Sequence, residues 1–311
     1  MAYTTTELLA AIKHRAQIPD ANGALSNDDL LSLATLAMRT QIQPLIRSVR
    51  EDFAVVRQTI PLVADQRQYA IPSRAEGGSV RDVWIRQIAA PERAQRLPYI
   101  PPEERPIYEQ SRNVWWDSIF GYTVEGNDLW LMPTPGTAEA SDYELEVRYV
   151  LRPGRFVATN TCDVVSSWTS PTITTVSASV FTTGDDVDVI GAKPPFRPRI
   201  LDSSTTVAGS LVTVSAADVI ESPVAGDYVC ETDTTCVVTC PVEAYEALIS
   251  ATLVEVYAVL GYQQDMAAAV SMRDNQMQAV RVLMEPRTQG AARVVIDPRS
   301  PLRRGRRMGW W

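Results

Sequence analysis

The sequence predicts an α+β fold. A helical bundle forms from N-terminal helices and a long C-terminal helix, and it carries a β domain, an inserted small β-barrel or sandwich module and an extended C-terminal arm. Three observations predict this. Apolar residues recur at helical spacing at the two ends of the chain, over residues 1–51 and 241–285. Residues 52–156 and 157–240 instead show alternation and closely spaced turn signals, the marks of strands. Residues 286–311 show neither pattern. Amphipathic helices at opposite ends of a chain bury their faces best against one another, so the ends are expected to meet.

The first helix is announced by Thr4 three residues before Glu7, a capping-box pattern, with Leu8, Leu9, Ile12 and Ala16 on one face. Pro19 and Gly23 interrupt it. Ser26 and Asp29 open a second helix with Leu30, Leu33, Ala37 and Ile42 among its apolar positions, and Pro44 is expected to kink or restart it. From Phe53 short runs rich in β-branched and aromatic residues follow, including "FAVVRQTIPLV", "RQYAIP" and "VRDVWIRQI" with Val80, Val83 and Ile85. "GYTVEGNDLWLMP" reads as a hairpin turned at Gly126, Asn127 and Asp128. "YELEVRYVLRPG" alternates Tyr143, Leu145, Val147 and Tyr149 against Glu144, Glu146 and Arg148.

Residues 157–240 are rich in Thr, Ser, Val and Asp. "TITTVSASVF", "DDVDVIG", "PRILDSS", "SLVTVS" and "DYVCETDTTCVVTC" read as its strands, and the module is expected to be an independent unit. Asp185, Asp186 and Asp188 lack the further oxygen ligands of a Ca²⁺ loop and read as a solvated turn. Pro241 suits the first turn of the C-terminal helix, whose stripe runs through Tyr245, Leu248, Ile249, Thr252, Val256 and Leu260. Beyond Gly261 it continues through Met266, Val270, Met277, Val280 and Met284 until Pro286.

The chemistry-bearing residues are sparse. The sequence holds no G-x-S-x-G, H-E-x-x-H, P-loop or G-x-G-x-x-G motif, and its single histidine, His14, sits between Lys13 and Arg15 on a helical polar face. No enzymatic activity is expected. Cys230, Cys236 and Cys240 lie close together, but zinc sites favour paired C-x2-4-C units with more Cys or His nearby. These thiols, with Cys162, read as buried or half-buried in strands, and no metal or cofactor is expected. There is no apolar run of membrane-spanning length and no signal-peptide pattern at the start, so a chain made in a reducing cytoplasm without a membrane partner is expected.

Charge is unevenly placed. Residues 285–311 carry a net +5 and the preceding residues −13, for a total of −8. Arg303, Arg304, Arg306, Arg307, Trp310 and Trp311 crowd the last nine positions. Arginine and tryptophan are favoured at interface hot spots, which makes these six the candidate partner-binding residues. The same composition also suits nucleic acid, with arginine on phosphate and tryptophan stacked on bases.

"TTTELLAAIKHRAQIP", "LSNDDLLSLATLAMRTQIQPLIRSVRED", "DQRQYAIPSRAEGGSVRDV", "LPYIPPEE" and "EGNDLWLMPTP", in that order, resemble the head-to-tail adaptor (connector) proteins of tailed bacteriophages. The resemblance covers residues 4–155 and the helix from Pro241 to Met284; residues 157–240 match no recognised pattern. It implies a virion structural protein at the head–tail junction. In that picture about twelve copies form a closed ring beneath the portal protein, next to tail tube or nozzle proteins. Genomic double-stranded DNA passes through the centre, and an acidic wall does not hold it. It also implies that the arm docks on the portal through Arg303, Arg304, Arg306, Arg307, Trp310 and Trp311. The alternative is a DNA-binding or tail-tube protein whose basic end contacts the genome.

Overall fold

The computed structural model describes residues 3–17, 25–106, 121–193 and 196–285. Both N-terminal helices start as their caps dictate. In α1 (Thr5–Ala16) the Thr4 hydroxyl accepts from the Glu7 amide while the Glu7 carboxylate accepts from Thr4 N–H. Ser26 and Asp29 make the same reciprocal pair at α2 (Asn27–Ala37). The restart at Pro44 has a backbone cause. Proline has no N–H to give Thr40, and the chain widens into a π-helical turn at Met38–Ile42, where Gln43 N–H bonds back to Met38 C=O, before α3 (Gln43–Val49) resumes.

The long C-terminal helix is instead a helical hairpin. Tyr245–Leu260 forms α5 and Gln263–Met284 forms α6. Gly261 adopts φ +75°, the left-handed conformation that ends helices. Tyr262 N–H then bonds to Tyr257 C=O, and Gly261 N–H to Ala258 C=O, a Schellman pattern. The end of α6 returns to the 3₁₀ turn Val242–Ala244, and the Ser250 hydroxyl meets Gln276 Oε1 at 2.6 Å. A single rod would leave the Met266–Met284 stripe in water. Folded back, it joins Leu8, Ile12, Leu30, Met38, Ile46, Leu248 and Val256 in one core.

The two chain ends do meet: α1 and α2 pack on α5, Tyr3 stacks on Tyr245 at 4.3 Å, and Arg15 pairs with Glu246. Helix α5 is buried almost all round, as expected for the centre of a bundle. Val254, apolar but off the Tyr245–Leu260 stripe, is 9% exposed and also lies inside this core.

The β region is two sheets. Strands β1 (Val55–Pro61), β3 (Ala75–Gln87), β4 (Ala94–Leu97) and β7 (Tyr143–Leu151) form an antiparallel sheet in the order β1-β7-β3-β4. Leu145, Val147 and Tyr149 of β7 point to its core beside Val83 and Ile85. Strands β2 (Gln68–Ala70), β5 (Gly121–Glu125) and β6 (Asp128–Met132) form the second sheet, with β6 central, and a short helix α4 (Thr137–Asp142) leads from it into β7. Tyr69 closes its own turn: its hydroxyl accepts from Val63 N–H and donates to Gln66 C=O, both at 3.1 Å.

After β8 (Arg155–Phe156) come β9 (Asp163–Thr169), β10 (Thr172–Thr175), β11 (Asp186–Ile190), β12 (Pro198–Ser204), β13 (Thr206–Ala208), β14 (Leu211–Thr213) and β15 (Tyr228–Glu231). The last seven make one sheet in the order β12-β11-β15-β9-β10-β14-β13 around Val165, Ile173, Val187, Ile200, Val212 and Val229. The barrel or sandwich expected here is not closed. The edge strands β12 and β13 are consecutive in the chain, separated by Thr205, and no ladder joins them. Strand β16 (Thr234–Thr235) then pairs in parallel with β8, and Val237 bridges to Thr4.

Candidate interaction surface

The six residues expected to bind a partner, Arg303, Arg304, Arg306, Arg307, Trp310 and Trp311, lie outside the described residues, as does the whole of 286–311. What is described is the point from which that segment departs. Met284 is buried in the bundle core and Glu285 is exposed beside it.

Helix α6 presents two apolar faces. One carries Met266, Ala269, Val270, Met277, Val280 and Met284 and packs into the bundle. The other carries Ala268, Met272, Ala279, Val282 and Leu283 and faces solvent, with Met272 50%, Val282 70% and Leu283 55% exposed. Spacings of four, seven and three or four residues place these five on one stripe, roughly a third of a turn from the buried face. Val259 and Tyr262 add exposed apolar surface at the hairpin turn. A helix with apolar residues on two faces is built to pack twice.

A buried ionic node joins the strand regions. Arg74, 3% exposed, reaches from the β2–β3 connection into the seven-stranded sheet. Its guanidinium pairs with Asp188, which is fully buried, and approaches Asp202 at 3.5 Å and Asp233 at 3.3 Å. Asp188 also accepts from the backbone N–H groups of Asp202 at 2.9 Å and Asp233 at 3.2 Å. Burial pushes the Asp188 carboxyl up, against the pull of Arg74. The reading of Asp185, Asp186 and Asp188 as one solvated turn therefore fails at Asp188, which is buried against Arg74, while Asp186 at the start of β11 stays exposed. Asp233 extends the node to the bundle, lying 3.7 Å from Arg39, whose side chain also donates to Pro153 C=O.

The thiols rearrange relative to their sequence neighbourhood. Cys240 belongs to the helical core, whereas Cys162, just before β9, joins Cys230 on β15 and Cys236 beyond β16. Their three Sγ atoms lie within 4.8 Å of one another, with Cys230 and Cys236 at 3.8 Å. Hydrogen bonds from Cys230 and Cys236 pull the Cys162 thiol down to about 4, while burial pushes Cys230 up. No sequence spacing pointed to Cys162, because topology alone brings it to the other two.

A groove of about 750 Å³ opens between the four-stranded sheet and the seven-stranded one. Among the described residues its ionisable lining is arginine and carboxylate, including Arg57, Arg81, Arg148, Asp52 and Glu221, and two hydroxyls, Thr235 and Thr239, also line it. His14 is on the exposed side of α1. No helix among the described residues is long and apolar enough to cross a membrane.

A helical bundle built from both chain ends, with a second, solvent-facing apolar stripe on its outer helix, suits a chain that packs against others. The family comparison agrees. Residues 3–179 match the SU10 adaptor protein family, and the chain belongs to that family of structural phage adaptors, which is not an enzyme class. The resemblance to phage head-to-tail adaptors is thereby borne out. The matched residues run from the start of α1 through β10. No curated protein matches the chain.

Proposed function

We propose that this adaptor forms a closed ring of about twelve copies at the head–tail junction of the virion, bolted beneath the portal protein and above tail tube or nozzle proteins, with the genomic DNA passing through its centre. The observation that carries the ring is the two-faced helix α6. Its inner stripe completes the bundle, and its outer stripe, Ala268–Met272–Ala279–Val282/Leu283, remains for a neighbour. A heterologous interface needs a second, different patch of this kind, and ring closure satisfies it without an open end. The net charge of −13 before residue 285 repels phosphate, which suits a wall past which DNA must move.

The C-terminal segment leaves the bundle at Glu285 and, extended at about 3.3 Å per residue, reaches as far as about 90 Å. In this reading Trp310 and Trp311 anchor it in the portal, and Arg303, Arg304, Arg306 and Arg307 pair with portal carboxylates. Mass photometry of the full chain with and without portal tests the assembly: rings are expected on the portal, and a small dimer indifferent to portal refutes it. Deleting Trp310 and Trp311 should abolish portal attachment and leave the fold intact. If the deletion spares portal binding and lowers affinity for DNA, the arm belongs to the genome instead.

A further inference from the structure

The cluster of Cys162, Cys230 and Cys236 has the dimensions of a metal site. Zn²⁺ holds thiolate sulfur at about 2.3 Å, so sulfurs sharing one ion sit about 3.8–4.0 Å apart. Here Cys230 and Cys236 are already at 3.8 Å, and all three Sγ atoms fall within 4.8 Å. They come from three separate segments that the fold holds in place. Cys162 ends the 3₁₀ turn Thr159–Thr161, Cys230 is on β15, and Cys236 C=O accepts from Thr5 N–H at 2.9 Å. Ile190, Phe196 and Val237 surround the sulfurs. Cys230 and Cys236 are fully buried and Cys162 is 8% exposed.

We propose that these three cysteines bind one thiophilic d¹⁰ cation, Zn²⁺ or Cu⁺, as a structural staple. Soft thiolate sets select these ions over hard cations. The staple would join β15, the lead-in to β9 and the segment paired with the N-terminus, whose cysteines are free thiols. Binding as thiolates displaces thiol protons to solvent, and apparent affinity rises with pH.

The test uses the full chain, reduced, stripped with chelator and titrated with Co²⁺ as a probe for Zn²⁺. A parallel anaerobic titration uses chelator-buffered Cu⁺. One equivalent of Co²⁺ should bind with thiolate charge-transfer absorption and be displaced by Zn²⁺, or one Cu⁺ should bind in the second arm. X-ray absorption of the loaded wild-type protein should find three sulfur scatterers at about 2.3 Å. Cys162→Ser should lower the affinity at least tenfold, and Cys240→Ser should leave it unchanged. The proposal is overturned if the folded wild-type chain takes up neither ion stoichiometrically. It is equally overturned if Cys162→Ser lowers the affinity less than tenfold, if Cys240→Ser abolishes uptake, or if fewer than three sulfurs surround the bound ion. The absorption measurement decides even where the Cys162→Ser chain fails to fold.

Discussion

Replacing Arg74 with methionine keeps an unbranched apolar stem and removes the guanidinium with its charge. Asp188, fully buried, is then left with two backbone donors, from Asp202 and Asp233, and no counter-charge. Removing one partner of a buried ion pair costs about 3–5 kcal/mol, and the two remaining donors place this case toward the lower end. Asp202 and Asp233 reach solvent, at 35% and 34% side-chain exposure, and add little to the loss. Against a total stability of about 5–15 kcal/mol, the change is large. At about 2–4 °C per kcal/mol, the thermal midpoint of the R74M chain should fall by roughly 6–20 °C. Thermal unfolding followed by circular dichroism measures it. The double variant Arg74→Met with Asp188→Asn carries no buried charge, keeps a side-chain oxygen as acceptor beside the Asp202 and Asp233 N–H groups, and should recover most of the loss, because the cost lies in the unpaired carboxylate. The surface pair Arg15–Glu246, a third to a half exposed, is the control, and Arg15→Met should cost at most about 1 kcal/mol. If R74M alone costs under about 1 kcal/mol, or if the double variant is as unstable as the single, the node is not a buried charge pair and the reasoning fails.

Gly261→Ala forces a Cβ into a left-handed conformation at φ +75° and should cost about 1–2 kcal/mol, read by chemical denaturation. Met272→Glu and Leu283→Glu put charge on the outer stripe of α6 and should abolish ring formation in mass photometry while leaving the thermal midpoint of the single chain unchanged. Hydrogen bonds from the Ser26 side chain and backbone hold the Asp29 carboxyl below its ordinary range. A depressed carboxyl contributes stability that is full above the unfolded pKa and is lost as pH falls through the folded one. An NMR titration should therefore find Asp29 titrating lower in the wild type than in the Ser26→Ala chain, and equal values would refute the cap.

The parts of the fold that were legible in the sequence are those fixed by near neighbours. Thr4 with Glu7 and Ser26 with Asp29 each lie within one helical turn, and both capping boxes form. The hairpin around Gly126 forms, with Glu125 opposite Asp128. Two segments of the adaptor resemblance, around Tyr69 and Trp130, even become partners in one sheet, with Tyr69 opposite Leu129. Gly261 is visible in the sequence, but the apolar stripe that continues beyond it reads as one helix. Whether a glycine is tolerated in a helix or reverses the chain depends on what the following stripe packs against, and that stripe finds the bundle only by folding back. Strand β9 was missed because "DVVSSWT" sits beside turn-forming residues and lacks clean alternation. Cys162 and Asp188 show the limit most clearly. Each looks polar and solvated or inert in its own neighbourhood, and each finds a defining partner far along the chain, Cys162 at Cys230, 68 positions on, and Asp188 at Arg74, 114 positions back.

Residues 230–236 connect the bonds that hold the seven-stranded sheet against the rest of the chain. Cys230 and Cys236 face the thiol cluster, and between them Asp233, at φ +61°, turns its carboxylate to Arg74, Arg152 and Arg39. Thr234 and Thr235 pair with β8, and the Cys236 carbonyl accepts from the first turn of α1. One seven-residue strap therefore touches the bundle, the four-stranded sheet and the inserted sheet at once. Its left-handed residue follows from this: Asp tolerates φ > 0 better than most non-glycine residues, and a side chain there is needed for its carboxylate. Glycine at 233 would keep the turn and lose three arginine contacts, so the strap would remain in place while the inserted sheet lost its electrostatic reference to the bundle. The seven-stranded sheet is thus fastened to the bundle at this strap, by contacts separate from the sheet's own core.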